Sequence, residues 1–296
     1  MDNGHKSSSN GNHPFGFDIT RVTQLSWHPR LFFYRGFLSS EECDHLIQLA
    51  KDKLEQSMVA GGAGKSIVSN VRTSTGMFLN KRQDETVARI EARIAAWTFL
   101  PEENGESLQI LRYEDGQKYE PHFDYFQDHR SLETSGNRVA TVLMYLSDVQ
   151  KGGETVFPYA KGDNSQLKDD SWSDCSKKGY ADESPGTAVK PKKGDAVLFF
   201  SLKPNATTTD TYSLHESCPV IEGEKWSATK WIHVRSFDRL SAVPARKSTG
   251  DNCVDDDELL CPEWASRGEC QKNPLYMVGS HASLGFCRKS CKLCSV

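Results

Sequence analysis

Two residues set the problem. In the stretch YEDGQKYEPHFDYF (residues 113–126), His122 and Asp124 flank Phe123, forming the only His-x-Asp/Glu in the chain. On an extended strand, residues i and i+2 point to the same side. That spacing aims an imidazole and a carboxylate at one point and leaves Phe123 on the other face. A more distant histidine would complete a 2-His-1-carboxylate set, which binds Fe(II) and leaves coordination positions open for oxygen chemistry. The pair alone is weak, because nine histidines and 40 acidic residues in 296 yield roughly one such pair by chance. The competing reading is an ordinary ion pair on a half-exposed strand.

Elimination narrows the search for the third ligand. His5 and His13 lie in a polar head, His281 lies among tail cysteines, His28 precedes a proline, and His45 sits in a helical pattern. His129, His215 and His233 remain. In the stretch IEGEKWSATKWIHV, Lys225, Trp231 and His233 share one strand parity, and Trp226, Ile232 and Val234 share the other. A buried lysine is costly without a partner. A cosubstrate carboxylate such as that of 2-oxoglutarate would be a natural one for Lys225, whereas a solvated hairpin lysine is the commoner outcome.

The elements that must carry these residues read as mainly β with flanking helices (α+β). Residues 27–37 alternate as a first strand. Ser39 is an N-cap with acidic residues behind it, so a helix is expected from there to about residue 55. Residues 71–79 form the next strand, and 83–97 a second amphipathic helix. Beyond Pro101 come short strands at 107–113, 119–125, 138–146, 154–157, 188–189, 196–202, 217–221 and 225–235, punctuated by glycine turns. Such spacing argues for a sandwich or barrel of jelly-roll type, with both helices on one sheet's outer face. Residues 61–66, GGAGKS, imitate a phosphate loop, but position 59 is valine where the first glycine belongs. A mobile loop is the better reading.

Composition sets the outer bounds. A formal net charge of −4, with both signs interleaved, gives no nucleic-acid surface. No long apolar run predicts a membrane span, and the start lacks the apolar core of a signal peptide. Residues 1–21 read as a disordered head and 239–252 as a linker. Six of nine cysteines (Cys253, Cys261, Cys270, Cys287, Cys291, Cys294) fall in residues 253–294. That density points to a small disulfide-rich module and an oxidising compartment. A zinc site would need a second pair with ligand spacing, which is missing. Asn205-Ala206-Thr207 is a glycosylation sequon, which agrees with secretory passage. A targeting or anchoring segment upstream of Met1 is therefore expected.

LQILRYEDGQKYEPHFDYF, GGETVFP, KPKKGDAVLFFSL and SLHESCPVIEGEKWSATKWIHV together resemble the plant and algal prolyl 4-hydroxylases of the Fe(II)/2-oxoglutarate dioxygenase superfamily. The likeness spans roughly residues 22–237, its order and spacing make it specific, and it implies a catalytic domain over 22–238. The tail, with NPLYMVGS and CRKSCKLC, resembles the ShK-toxin-like six-cysteine module of plant members. The resemblance implies a double-stranded β-helix and iron ligation by His122, Asp124 and His215. It implies that Lys225, Tyr113 and Thr155 bind 2-oxoglutarate. Arg72, Ser74, Glu106, Tyr119, Arg138 and His233 would line the peptide cleft, with Trp231 nearest the chemistry. It also implies disulfides Cys253–Cys294, Cys261–Cys287, Cys270–Cys291 and Cys175–Cys218.

The implied activity is 4-hydroxylation of peptidyl proline in proline-rich secretory or cell-wall proteins. Fe(II), 2-oxoglutarate, O2 and ascorbate would serve it, in the endoplasmic reticulum or Golgi. Membrane association would come only through the absent N-terminal segment. The alternatives are another protein hydroxylase, such as a lysyl hydroxylase, or a non-catalytic binding protein targeted by its cysteine module.

Overall fold

The chain alternates apolar and polar side chains over short runs, and each run has become a strand whose two faces meet different neighbours. In a computed structural model, residues 17–60, 66–67, 69–127, 132, 135–162, 169–177, 186–238, 255, 260–272, 277–278 and 287–292 are described. The strands of the first half are β1 (Val22–Trp27), β2 (Arg30–Tyr34), β3 (Glu55–Gln56), β4 (Val59–Ala60), β5 (Ser66–Ile67), β6 (Thr75–Phe78), β7 (Gln109–Tyr113) and β8 (Tyr119–His122). Those of the second are β9 (Arg138–Tyr145), β10 (Lys151–Gly152), β11 (Thr155–Phe157), β12 (Thr187–Val189), β13 (Ala196–Phe200), β14 (His215–Ser217), β15 (Val220–Glu222) and β16 (Lys225–His233).

Two sheets carry the architecture. The large one runs β1-β2-β13-β9-β16-β7-β6-β3, and the small one β12-β11-β14-β8. All their pairings are antiparallel. This is the expected jelly-roll arrangement.

Parity divides the large sheet's labour. Ala140, Val142 and Met144 of β9, with Trp226, Ala228 and Ile232 of β16, pack in the cluster that also holds the two helices. The opposite parity (Thr141, Leu143, Tyr145, and Lys225, Ser227, Thr229, Trp231) faces the small sheet. Helix α1 (Ser40–Ala50) opens with a capping box, in which Ser39 accepts from the Glu42 amide and Glu42 accepts from the Ser39 amide. Helix α2 (Glu85–Thr98) is capped by Asp84 and buries Val87, Ile90, Ile94 and Trp97. Each such side chain contributes about 1.5–3 kcal/mol on burial.

Several boundaries differ from expectation. The first strand is a hairpin of β1 and β2, because Pro29 has no N–H to extend a ladder and the chain turns at 28–29. Helix α1 stops at Ala50 rather than near 55, since Glu55–Gln56 pair with β6. The head is shorter than expected: Phe17 packs on the core, and Asp18 caps the turn Ile19–Arg21. Strand 217–221 is broken at Pro219 into β14 and β15. The polar loop 163–184 contains a helical turn, Asp174–Lys177. The GGAGKS loop and the linker 239–252 lie largely or wholly outside the described residues.

The chain divides into two units, Met1–Asp238 and Arg239–Val296. The second holds helices Leu260–Ser266 and Glu269–Lys272, stapled by Cys261–Cys287 and Cys270–Cys291. Both bridges match the expected pairing; Cys253 and Cys294 lie outside the described residues. In the first unit Cys175 and Cys218 are bonded as expected. Among the described residues, no helix is long and apolar enough to cross a membrane.

On the helix-facing side of β16, Lys230 is buried and paired with Glu91 of α2. Glu91 also accepts from the Arg82 amide at 2.8 Å. Removing one charge strands the other in a dry interior, which costs about 3–5 kcal/mol, whereas replacing both by apolar residues is often close to neutral. Lys230→Met is therefore expected to lose most of that amount in urea unfolding of the full chain, and Lys230→Met/Glu91→Leu to regain much of it.

Candidate active site

The histidine two residues from a carboxylate does meet a second histidine, and strand pairing is the reason. In the small sheet His215 of β14 stands directly opposite His122 of β8. Asp124 is not on that strand, as the alternation argument assumed: β8 ends at His122 and Asp124 occupies the bend beyond it. The bend still returns its carboxylate to the imidazoles, with Oδ1 3.8 Å from His122 Nε2 and Oδ2 3.7 Å from His215 Nε2. One ligand atom from each of the three lies within 4.8 Å of the others. Phe123 packs into the helix-side core, as the opposite-face reading anticipated.

The tautomers suit metal binding. His122 Nδ1 bonds the Glu120 carbonyl at 2.8 Å, and His215 Nδ1 bonds the Ser213 carbonyl at 3.0 Å. A carbonyl can only accept, so both Nδ1 atoms carry the proton and both Nε2 lone pairs face inward. Burial, and then the neighbouring His215, pulls His122 down to about 3. Burial raises the Asp124 carboxyl, but His215, His122 and Arg138 outweigh it and hold the group below the usual range. Thr141 donates to Asp124 Oδ2 at 2.7 Å, fixing the carboxylate rotamer. Two imidazole nitrogens and one anionic oxygen, gathered on one side of a point, fit Fe(II) with open positions opposite.

From the triad a narrow cleft runs between the sheets. At its closed end Lys225 is 1 % exposed, and its Nζ donates to Ser217 Oγ at 2.8 Å. No carboxylate forms an ion pair with it among the described residues. Burial pulls its ammonium down to about 7, with Glu154 pulling the other way. Tyr113, directly opposite Lys225 in the β7–β16 register, and Thr155 line the same end.

Most of the remaining predicted residues gather on the other side of the triad from Lys225, around Trp231 and Tyr119. Arg138 grips Glu106 with two hydrogen bonds, Nε to Oε1 at 2.6 Å and a terminal nitrogen to Oε2 at 3.1 Å. His233 Nε2 lies 2.8 Å from the same Oε1. The Arg138 guanidinium sits 4.1 Å above the Trp231 ring, whose buried Nε1 has no partner among the described residues. Tyr119 stacks on His122 at 3.5 Å between centroids, and Arg72 covers Tyr119. Burial pushes the Tyr119 phenol up to about 12.

Ser74 is the exception. It is fully buried and donates to Ser57 Oγ at 3.0 Å. Like Glu106, Arg138 and His233 it does not line the cleft, but unlike that cluster, which Arg138 ties to Trp231, it has no contact with a described cleft residue through that hydroxyl. Of the two rival histidines, His233 stands with Glu106 rather than at the triad, and His129 lies outside the described residues. Thr141, Tyr145, Ser217 and Ser227 went unnoticed in the sequence. Their one signal was polar or aromatic residues at a single parity of otherwise apolar strands.

Comparisons with known proteins agree with this geometry. Residues 108–233 match the 2OG-Fe(II) oxygenase superfamily model. The chain is 66% identical over 282 residues to "Probable prolyl 4-hydroxylase 7" of Arabidopsis thaliana, covering 95% of this chain and 84% of that protein. It is 54% identical over 280 residues to "Prolyl 4-hydroxylase 2" of the same plant, covering 93% and 88%. Among solved structures it resembles the 2OG complex of the viral collagen prolyl hydroxylase from Paramecium Bursaria Chlorella virus-1. The TM-score is 0.50 at 27% identity, covering 68% of this chain and 94% of that one.

Removing any one triad ligand should abolish metal retention while the fold survives. His215→Ala and Asp124→Asn, loaded with Fe(II) under anaerobic conditions and desalted, are expected to elute without stoichiometric iron in elemental analysis. Wild-type iron content in a folded His215→Ala protein would remove that residue from the set.

Proposed function

This chain belongs to the plant prolyl 4-hydroxylases of the 2OG-Fe(II) oxygenase superfamily, and on that premise we propose that it hydroxylates peptidyl proline at C4 in proline-rich secretory or cell-wall polypeptides. It is a dioxygenase of the Fe(II)- and 2-oxoglutarate-dependent class. The observation that carries the substrate reading is the aromatic and charged group set beside the triad: Trp231, Tyr119, Arg72 and the Arg138–Glu106–His233 cluster. A proline-rich peptide is already extended as polyproline II, so laying it along an aromatic-lined groove costs little ordering entropy.

His122, Asp124 and His215 hold the iron. Lys225, with Tyr113 and Thr155, receives the distal carboxylate of 2-oxoglutarate, for which a buried lysine without an ion pair is the natural complement. When bound, iron, 2-oxoglutarate and O2 supply the chemistry that exchanges a C–H bond for C–OH, with succinate and CO2 as coproducts. Ascorbate would serve as the reductant typical of the family. The chain's own task is orientation. Trp231 Nε1 offers a free donor to the peptide, and the Arg138–Glu106–His233 cluster holds the groove wall still. The buried closed end keeps bulk water from the cosubstrate.

The tail is read as an ShK-toxin-like module that directs location or partners. The disulfides, and Asn205 exposed on a turn as a glycosylation acceptor, support an endoplasmic reticulum or Golgi setting.

Two measurements test the reading. Incubated with Fe(II), 2-oxoglutarate and ascorbate, the protein should add one oxygen to proline residues of proline-rich peptides, seen by mass spectrometry. Oxygen added to lysine-rich peptides instead would replace the substrate assignment.

The second concerns pH. Burial brings Lys225 down to about 7, so above that value a proton must be taken up before the carboxylate can pair. The affinity for 2-oxoglutarate, measured with Mn(II) in place of iron, should weaken between pH 7 and 8 by up to about tenfold per unit. The slope should vanish in Lys225→Met; its persistence there would assign it to other groups.

A further inference from the structure

At the closed end of the cleft, two hydroxyls each accept one hydrogen bond from a neighbouring side chain. Thr155 of β11 and Ser217 of β14 stand opposite each other in antiparallel register, and both line the cleft with Lys225. Directly opposite side chains have Cβ atoms within about 4.5–5.5 Å. Tyr145 of β9, fully buried, donates its phenolic proton to Thr155 Oγ1 at 2.9 Å. Lys225 Nζ donates to Ser217 Oγ at 2.8 Å.

Chemistry forces both directions. In the protonated form, the one that pairs with a carboxylate, Lys225 has no lone pair, so Ser217 accepts. A buried phenol must place its proton on an acceptor, and Thr155 is the only one recorded for Tyr145 among the described residues. Each hydroxyl therefore accepts one bond and keeps its own proton. Neither donates that proton to another group among the described residues, and both face the cleft. Tyr145 itself does not line the cleft; its ring lies 5.8 Å from Lys225 Nζ, a contact that phenylalanine would keep, so the influence of its hydroxyl on a ligand passes through Thr155.

We propose that Tyr145 is a positioning residue for the cosubstrate, turning the Thr155 proton toward the distal carboxylate of 2-oxoglutarate, and that Ser217 is a further direct contact of that carboxylate. The proposal rests on the pairing of Lys225 with the same carboxylate. Lys225, Thr155 and Ser217 then converge as three donors on one anion, and Tyr145 fixes the one whose hydroxyl would otherwise rotate. The arrangement also explains selection for a dicarboxylate. A 2-oxo acid ending in a methyl group would leave three buried donors facing an apolar carbon, a mismatch that sites of this kind reject strongly.

The test is calorimetric titration of 2-oxoglutarate, and separately of 2-oxovalerate, into the full chain loaded with Mn(II) and without peptide. 2-Oxovalerate keeps the metal-binding end and lacks the distal carboxylate. Tyr145→Phe should weaken 2-oxoglutarate roughly two- to tenfold, the range of one neutral hydrogen bond, and leave 2-oxovalerate unchanged. Thr155→Val should weaken it as well, and Tyr145→Phe added to Thr155→Val should cost nothing further. In turnover with iron, Tyr145→Phe should raise the 2-oxoglutarate KM without lowering kcat at saturation.

Equal losses for both ligands, or additive losses in the double variant, would make Tyr145 a packing residue and overturn the proposal. Ser217→Ala supplies an arm independent of Tyr145: wild-type affinity for 2-oxoglutarate there would remove Ser217 from the cradle. Lys225→Met separates the levels. If it binds 2-oxoglutarate as well as wild type, the underlying assignment fails. If it binds weakly while Tyr145→Phe and Ser217→Ala bind normally, only the present inference fails.

Discussion

Three ionisable side chains (Asp124, His215 and Lys225) are buried between two sheets with a half-buried fourth, His122, beside them, at a cost no hydrophobic contact removes. The fold meets that cost group by group. Backbone carbonyls take the two Nδ1 protons, Thr141 bonds Asp124, and Ser217 bonds Lys225. The remaining capacity, two Nε2 lone pairs, the anionic charge of Asp124 and the charge of Lys225, is the part a metal and a carboxylate can satisfy. An empty site of this kind is less stable than a filled one, so ligands that bind only the folded state add to its stability.

β16 shows the same physics twice, once on each face. Lys230 and Lys225 lie on one strand with opposite parity, and both are buried. Lys230 meets Glu91 from α2, so its charge is answered within the chain. Lys225 meets two aromatic rings, at 5.4 Å for Tyr113 and 5.8 Å for Tyr145, and a serine hydroxyl, with no ion pair among the described residues. A structural lysine comes with its counter-ion; one lacking it is complementary to something that arrives from outside. This contrast separates a functional buried charge from a structural one without reference to any relative.

What the sequence made legible followed from short-range periodicity. His122 and Asp124 were found by spacing, the helices by capping and 3.6-residue repeats, and the jelly roll by short strands between glycine turns. Selection of His215 over His129 and His233 came from the family resemblance and not from periodicity or elimination, because it depends on β8 and β14 pairing across a long stretch of chain. Ser74 shows the reverse error. A residue assigned to the cleft by likeness is buried and bonded to Ser57, in the segment just before β6, where no strand alternation fixes which way it points. Tyr145 escaped notice for a related reason: an aromatic in an apolar strand reads as core until the opposing sheet is placed beside its hydroxyl.

The side around Trp231 differs from the closed end of the cleft in where freedom is removed. Glu106 is held by both a bidentate Arg138 and His233, and Arg138 is stacked on Trp231, so each charged group at the rim is locked by another before any ligand arrives. Side chains immobilised in advance spare a binding partner the ordering cost of about 0.5–1.5 kcal/mol each. A rigid rim suits a rigid partner, since neither surface must reorganise to meet the other. On the proposed reading the two ends thus divide recognition. The closed end selects the cosubstrate by unanswered charge, and the Trp231 side selects an extended peptide by shape held fixed through charges that already answer one another.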